Sequence, residues 1–346
     1  MTAEFPDDAR ITLAHGAGGR QTAALIARVF AHHFQNPDFT ADDAAILPVG
    51  DFDTGRAAFT TDGFIVSPWQ FPGGNIGKLS ICGTVNDLAC MGAVPRYLSC
   101  AFQIEEGFPL RDLDAIAAAM AETAAKAGVR IVAGDTKVAG RGQVDGVFIT
   151  TTGIGELLPG AEPYGARAEA GDAIIVTGDV GRHGAAILFA RRDFAIDAAI
   201  TSDCAPLAAT VRALFAAVPD KSAIHTIRDA TRGGVGTVLH EIAAESHVGI
   251  ELDAPAIPVA PEVRGVCGLL GLEPLYLACE GRLVLFAPQA IAPKLVETLR
   301  ALPDSRQAAI IGHVTPDFSG RVVLRTEIGT KTLLPEPSGE LLPRIC

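Results

Sequence analysis

At 346 residues, with 49% apolar and 20% charged side chains, the chain is long enough for two domains that each bury a core. A formal charge of −12 argues against nucleic-acid and anionic-membrane partners, because phosphate backbones repel such a surface. No apolar run is long enough to span a bilayer, and Met1–Asp8 is acidic where a secretory leader would be basic and then apolar, so a cytoplasmic protein is expected.

Strand-like and helical patterns alternate along the chain, which predicts a mixed α and β fold (α+β or α/β). In the first half, Phe59–Ser67, Tyr97–Ile104, Val129–Ala133 and Val144–Gly153 read as strands. Gly77–Met91 and the alanine-rich Leu110–Ala127 carry helical spacing. Pro159, Gly160, Pro163 and Gly165 punctuate the chain and place a domain boundary within Leu157–Gly171. The expected domains are therefore residues 1–158 and 165–330. In the second, strands are predicted at Asp172–Thr177, Gly249–Leu252, Leu283–Ala287, Ala309–Val314 and Val322–Thr326. Helices are predicted at Gly184–Ala190, Leu207–Ala217, Val235–Ala244 and Ile291–Leu302. The remainder, 331–346, contains Pro335, Pro337, Gly339 and Pro343, which forbid a continuous helix or a central strand. It is expected to be a mobile tail, able to reach roughly 50 Å when extended.

Seven cysteines (82, 90, 100, 204, 267, 279 and 346) include no Cys-x-x-Cys pair. That pattern argues against a disulfide framework and a local zinc motif. Most, including the closely spaced Cys82, Cys90 and Cys100, are expected as small buried apolar residues. Cys346, the last residue, does not fit that description.

Carboxylates recur at the edges of predicted strands or loops: Asp42 and Asp43 in DDAAIL, Asp62 in FTTDG, Asp87 in GTVNDLACMGA and Asp135 in IVAGDTKV, the last with Lys137 two residues on. Each alone reads more readily as a turn or capping aspartate. Together, among glycine-rich turns, they suit a Mg²⁺ shared with phosphates. HGAGG, with Gly18 and Gly19, precedes a helical pattern and can turn its amides toward an anion. FPGGNIGK also precedes a helix but lacks P-loop spacing. RDATRGG adds Asp229 and Arg232, either a metal and phosphate pair or a helix cap with a surface ion pair. His183 in GRHG and Glu280 in CEGR are candidate general bases, with a structural role the plain alternative for both.

In this order the motifs resemble the PurM-like superfamily of AIR synthetase, selenophosphate synthetase and thiamine-monophosphate kinase. ITLAHGAGG, GTVNDLACMGA, RDATRGG and the terminal PRIC are closest in pattern to its HypE family of hydrogenase maturation proteins, the carbamoyl dehydratases. The resemblance implies a homodimer whose N-terminal sheets share a barrel, a C-terminal α/β domain, and ATP in the cleft between domains. It implies that a carbamoyltransferase loads Cys346, that ATP-driven dehydration leaves a thiocyanate, and that the cyanide passes to an iron-carrying scaffold complex. Asp43, Asp62, Asp87 and Asp135 fall on the family's metal and nucleotide positions. Asn86, Lys137, Asp229 and Arg232 lie within the same motifs, and Glu280 falls on the position of a base. Cys279 stands where Asn or Ser would be expected. Two other readings of the same residues are a small-molecule kinase or synthetase of the superfamily and a non-enzymatic, nucleotide-binding thiol scaffold.

Overall fold

The computed structural model describes residues 6, 8–16, 20–37, 55–191, 199–336 and 345. Gly18, Gly19, Asp42, Asp43 and Cys346, all named above, lie outside the described residues.

After helical turns at α1 (Arg20–Leu25) and α2 (His32–Phe34), the first half builds a four-stranded sheet. Its strands are β1 (Ala57–Phe64), β4 (Ala93–Glu105), β5 (Arg130–Ala139) and β6 (Val147–Leu157), in the order β1-β6-β4-β5. Only the β4–β5 pair is parallel. A short ribbon, β2 (Gln70–Phe71) with β3 (Gly74–Asn75), leads into α3 (Ile76–Cys90). Asn75 caps that helix by accepting the Lys78 amide. Helix α3 is apolar on nearly every side and is buried accordingly. One side meets the sheet and α4 (Leu110–Ala127), and another meets the second half of the chain. Two glycines permit this closeness. A Cβ on Gly77 would fall 2.4 Å from the Ile116 carbonyl of α4, and one on Gly83 would fall 2.7 Å from the Phe64 ring of β1.

The second half is a seven-stranded sheet of β7 (Asp172–Val176), β8 (Thr226–Asp229), β9 (Gly249–Asp253), β10 (Leu283–Pro288), β11 (Ala309–Thr315), β12 (Val322–Arg325) and β13 (Lys331–Leu333). The order is β13-β12-β9-β11-β7-β10-β8. Both faces are covered, which is why β7 and β10 read as continuous apolar runs instead of alternating ones. Ile174, Val176, Val284 and Phe286 enter a core beneath α7 (Gly234–Glu245). Ala173, Ile175, Leu283 and Leu285 face the opposite way, toward α6 (Ala208–Ala216) and α9 (Ala292–Arg300). That second core continues through Leu207, Val211 and Phe215 to Leu79, Phe64 and Phe102 of the first half. The two sheets are therefore fastened through α3. Helices α5 (Arg182–Ala190) and α8 (Pro261–Leu270) complete a third, smaller cluster.

Two expectations need correction. The stretch from residue 331 does not begin as a mobile tail: Lys331–Leu333 pairs with β12 as the outermost strand of the sheet, an edge position compatible with the prolines that follow. Strand β5 also runs past Ala133 to Ala139 and so carries Asp135 and Lys137 within it.

Candidate active site

Three carboxylates meet where the two halves face each other. Asp62 projects from β1 toward α3, its Oδ2 3.5 Å from where a Gly83 Cβ would lie. Asp87 is on the last turn of α3 and accepts a 3.0 Å hydrogen bond from the Thr60 hydroxyl. Asp229 ends β8, just before the left-handed Gly233 that opens α7. Burial, Asp229 and Asp62 push the Asp87 carboxyl up to about 7, against the lowering bond from Thr60. Burial, opposed by its own amide and Arg228, pushes Asp229 up to about 6, with Asp62 and Glu241 adding to the rise. Partial loss of water raises Asp62, while the exposed Arg232 draws it back. The site thus concentrates hard, mutually repelling oxygens, with two guanidiniums, Arg228 and Arg232, within electrostatic range.

Among the described residues, no three His, Cys, Asp or Glu side chains stand close enough to ligate one metal ion together. The donor set nevertheless suits Mg²⁺, which keeps several waters and takes one or two carboxylates plus phosphate oxygens.

Asp135 and Lys137 are not part of this cluster within one chain. The register places Asp62, Thr151, Cys100 and Gly134 in one row across the sheet. Gly134 is therefore three strand spacings, ~14 Å, from Asp62. Asp135 is one residue further along and points to the opposite face. There its carboxylate pairs with Lys137 Nζ at 3.1 Å, both side chains largely exposed.

Asn86 is buried and committed to the fold. Its amide donates to the Ala205 carbonyl at 3.1 Å and accepts the Leu207 amide at 2.7 Å. The FPGGNIGK loop likewise closes on itself, Lys78 Nζ donating to the Gly73 carbonyl at 2.8 Å. Gly73 has φ of 98°, and a Cβ there would meet the Ser202 carbonyl at 2.8 Å. The loop therefore supports the 199–204 segment.

Glu280 lies behind the acidic cluster, 2% exposed. Its Oε1 has no hydrogen-bond partner. Burial first, then Cys204, Asp229, Asp203 and Asp62, drive its pKa well above the ordinary carboxylate range. The Glu280 amide donates to Asp203 Oδ1 at 3.2 Å and the Gly281 amide to Oδ2 at 3.3 Å. Arg282 stands 3.8 Å from Asp203 and donates to Asp179 Oδ1 at 2.8 Å. Asp203 and Asp179 had no sequence signal of their own, although Asp179 precedes GRHG and Arg282 ends CEGR. Cys279, the residue out of pattern, accepts the Gly181 amide through its sulfur at 3.1 Å. Its thiol takes the hydrogen-bonding place expected of Asn or Ser. Cys82, Cys90, Cys100, Cys204 and Cys267 are all buried and free.

His183 is fully buried, and both ring nitrogens are engaged, Nδ1 with Ser202 Oγ and Nε2 with the Ile345 carbonyl, each at 2.7 Å. This replaces the general-base reading of His183, since neither nitrogen is open to a substrate proton. A cavity of about 800 Å³ adjoins the same region, lined by Gly73, Lys78, Arg182, Ser202, Asp203 and Arg306 among others. Glu280, Asp62 and Asp87 do not line it.

The two-domain fold and the carboxylate cleft between its halves define an AIR synthase related protein. The family's N-terminal domain model matches residues 41–157 and its C-terminal domain model residues 169–325. The chain is 47% identical over 340 residues to the carbamoyl dehydratase HypE of Rhodobacter capsulatus, covering 98% of this chain and 99% of that one. It matches a HypE solved in complex with ATP at a TM-score of 0.91 and 44% identity, over 97% of this chain and 99% of that one. A chain from a HypE–HypF complex matches at 0.79 and 43%, over 91% and 100%. The chain belongs to the HypE family of carbamoyl dehydratases.

Proposed function

We propose that this chain dehydrates a carbamoyl group carried on the thiol of Cys346, using ATP, to leave a thiocyanate whose cyanide serves nickel–iron hydrogenase maturation. The observation that carries this reading is a buried carboxyl, Glu280, whose Oε1 has no partner, which feels Asp229 and Asp62 of the acidic cleft, and whose amide is held by Asp203, next to the Ser202 that bonds His183 and through it Ile345. A nucleotide site on one side and a carrier arm on the other is what such a reaction needs.

Hydroxide is a poor leaving group from a thiocarbamate. Transfer of the γ-phosphoryl group to the carbamoyl oxygen forms a P–O bond there as the bond to ADP breaks. The nitrogen gives up one proton as the imidate forms. Loss of the second accompanies C–O cleavage, which releases phosphate and leaves S–C≡N. Asp62, Asp87 and Asp229, with Asp43, would supply one or two carboxylates at a time to Mg²⁺, which would neutralise phosphate charge when bound. Arg232 is placed to meet a phosphate oxygen. Glu280 takes the nitrogen's proton. Its basicity once ionised follows from burial, and neutralising Asp229 and Asp62 favours that ionised form.

In this reading residues 1–158 bind nucleotide and dimerise, 165–330 carry Glu280, and 331–346 deliver Cys346. A homodimer is favoured by a face and two edges of the first sheet that stay uncovered among the described residues. Phe59 is 72% exposed there, and β1 and β5 are its two ends. In such a dimer Asp135 and Lys137 of one copy would serve the cleft of the other. HypE was solved with HypF, and a carbamoyltransferase is the proposed loading partner here, with an iron-carrying scaffold complex as acceptor. Among the described residues no helix is long and apolar enough to cross a membrane; a cytoplasmic location is part of the proposal. The test is removal of Cys346. Nucleotide binding should persist while ATP turnover with the loading partner is lost; full turnover on a free small molecule would favour a superfamily kinase instead.

A further inference from the structure

The bonds around His183 can be assigned without remainder. The Ile345 carbonyl only accepts, so Nε2 carries the proton. Nδ1 is then the acceptor, and the Ser202 hydroxyl donates to it. Ser202 Oγ in turn accepts the Cys204 amide at 3.1 Å. A single relay runs from the Cys204 N–H through Ser202 and His183 to the last peptide of the chain. The Phe71 ring stands at right angles to the imidazole, centroids 5.3 Å apart, and restricts its rotation. Burial lowers the His183 pKa, which preserves this neutral tautomer. Asp203, the next residue after Ser202, holds the Glu280 and Gly281 amides. One short segment therefore grips both reacting parts, the arm through His183 and the base through its backbone.

We propose that His183 and Ser202 are positioning residues forming a dock for the terminal peptide, which holds Cys346 near Glu280 for dehydration and releases it for loading. Consecutive Cα atoms across a peptide bond are ~3.8 Å apart, so a hold on the Ile345 carbonyl limits the reach of whatever follows it. The role assigned to the dock rests on the carrier reading above, but the dock itself is tested separately.

The experiment is time-resolved alkylation of the full-length protein with iodoacetamide, with the modified peptide identified by mass spectrometry. The six other cysteines are buried, so the reaction at Cys346 reports how often the arm leaves. Ser202→Ala and His183→Leu should each raise that rate roughly tenfold, the effect of losing one buried hydrogen bond. His183→Gln, which keeps an N–H near the Nε2 position, should return it toward wild type. In the same variants dehydration of preloaded protein should slow with KM for ATP unchanged, and loading should not slow. Ser202→Ala removes only a hydroxyl and keeps the test available if His183→Leu does not fold. Wild-type alkylation rates in folded Ser202→Ala and His183→Leu would overturn the dock. Accelerated alkylation in protein whose terminal mass never responds to ATP would instead leave the dock standing and overturn the carrier reading.

Discussion

Replacing Glu280 with Gln separates chemistry from architecture more cleanly than any other substitution in the site. In the resting protein the side chain is buried, its Oε1 has no partner, and its pKa is driven well above the ordinary range. A neutral Glu and a Gln have nearly the same shape, so the exchange removes no charge that the resting fold relies on. Its structural cost is that of one poorly matched amide N–H, at most about 1–2 kcal/mol. Loss of a positioned base slows proton transfer by about 10²–10⁴-fold, or about 3–5 kcal/mol of barrier. The assay loads wild-type and Glu280→Gln protein with a carbamoyltransferase and carbamoyl phosphate, adds Mg-ATP, and follows loss of one water from the terminal peptide after quenching. Loading should be equal and dehydration slower by at least two orders of magnitude. Dehydration within a few-fold of wild type in equally stable protein would remove Glu280 as the base.

Other consequences can be checked alongside. Asp87→Ala should abolish ATP turnover, measured by phosphate release, without lowering the melting temperature, because it removes a carboxylate that burial and Asp229 make costly to ionise; wild-type turnover in the folded variant would dismantle the proposed metal site. Gly83→Ala should destabilise by about 1–3 kcal/mol in urea unfolding, since its Cβ would fall 2.7 Å from the Phe64 ring; an unchanged midpoint would mean that α3 is not held as closely to β1 as described. Burial lowers the His183 pKa from 6.5, although the Ile345 carbonyl and Asp203 oppose the shift. Below about 6.5 the unfolded chain takes the proton first, so this contribution to stability is complete above that pH and lost as pH falls through the lower folded value. The urea midpoint should decline on that acid side, and His183→Gln should flatten the decline; an identical acid limb in the variant would show that another group governs it.

Much of the frame was legible because local and tertiary preferences agree. Leu110–Ala127 forms the predicted helix, and Gly128, at φ 73°, ends it in the left-handed conformation that glycine tolerates. Asp172–Val176 shows the unbroken burial its apolar run implied. What escaped were elements whose sequence reflects function or position more than periodicity. Strand β8 has four residues, two of them the charged Arg228 and Asp229. Helix α8 contains Gly265 and Gly268, which weaken its helical signal. Strand β13 lies at an edge and carries polar, exposed residues. In β5 the polar stretch from Gly134 to Lys137 conceals a strand, because Asp135 and Lys137 are exposed among the described residues. At the site, sequence gave the residue types of the acidic cleft but not their grouping. Sheet register, which spacing along the chain does not encode, separates Asp135 from Asp62. The pairing of His183 with Ile345 spans 162 positions and left no local trace, nor did the grip of Asp203 on the Glu280 amide.

The most direct measurement is the mass of the C-terminal peptide after incubation with a carbamoyltransferase and carbamoyl phosphate, before and after Mg-ATP. The expected result is a carbamoyl adduct on Cys346 that loses one water only when ATP is present, with ADP and phosphate released in step. An efficiently loaded Cys346 that never loses water, or an arm that never loads with its cognate transferase, would contradict the assignment of this chain as an ATP-dependent dehydratase of its own terminal thiocarbamate.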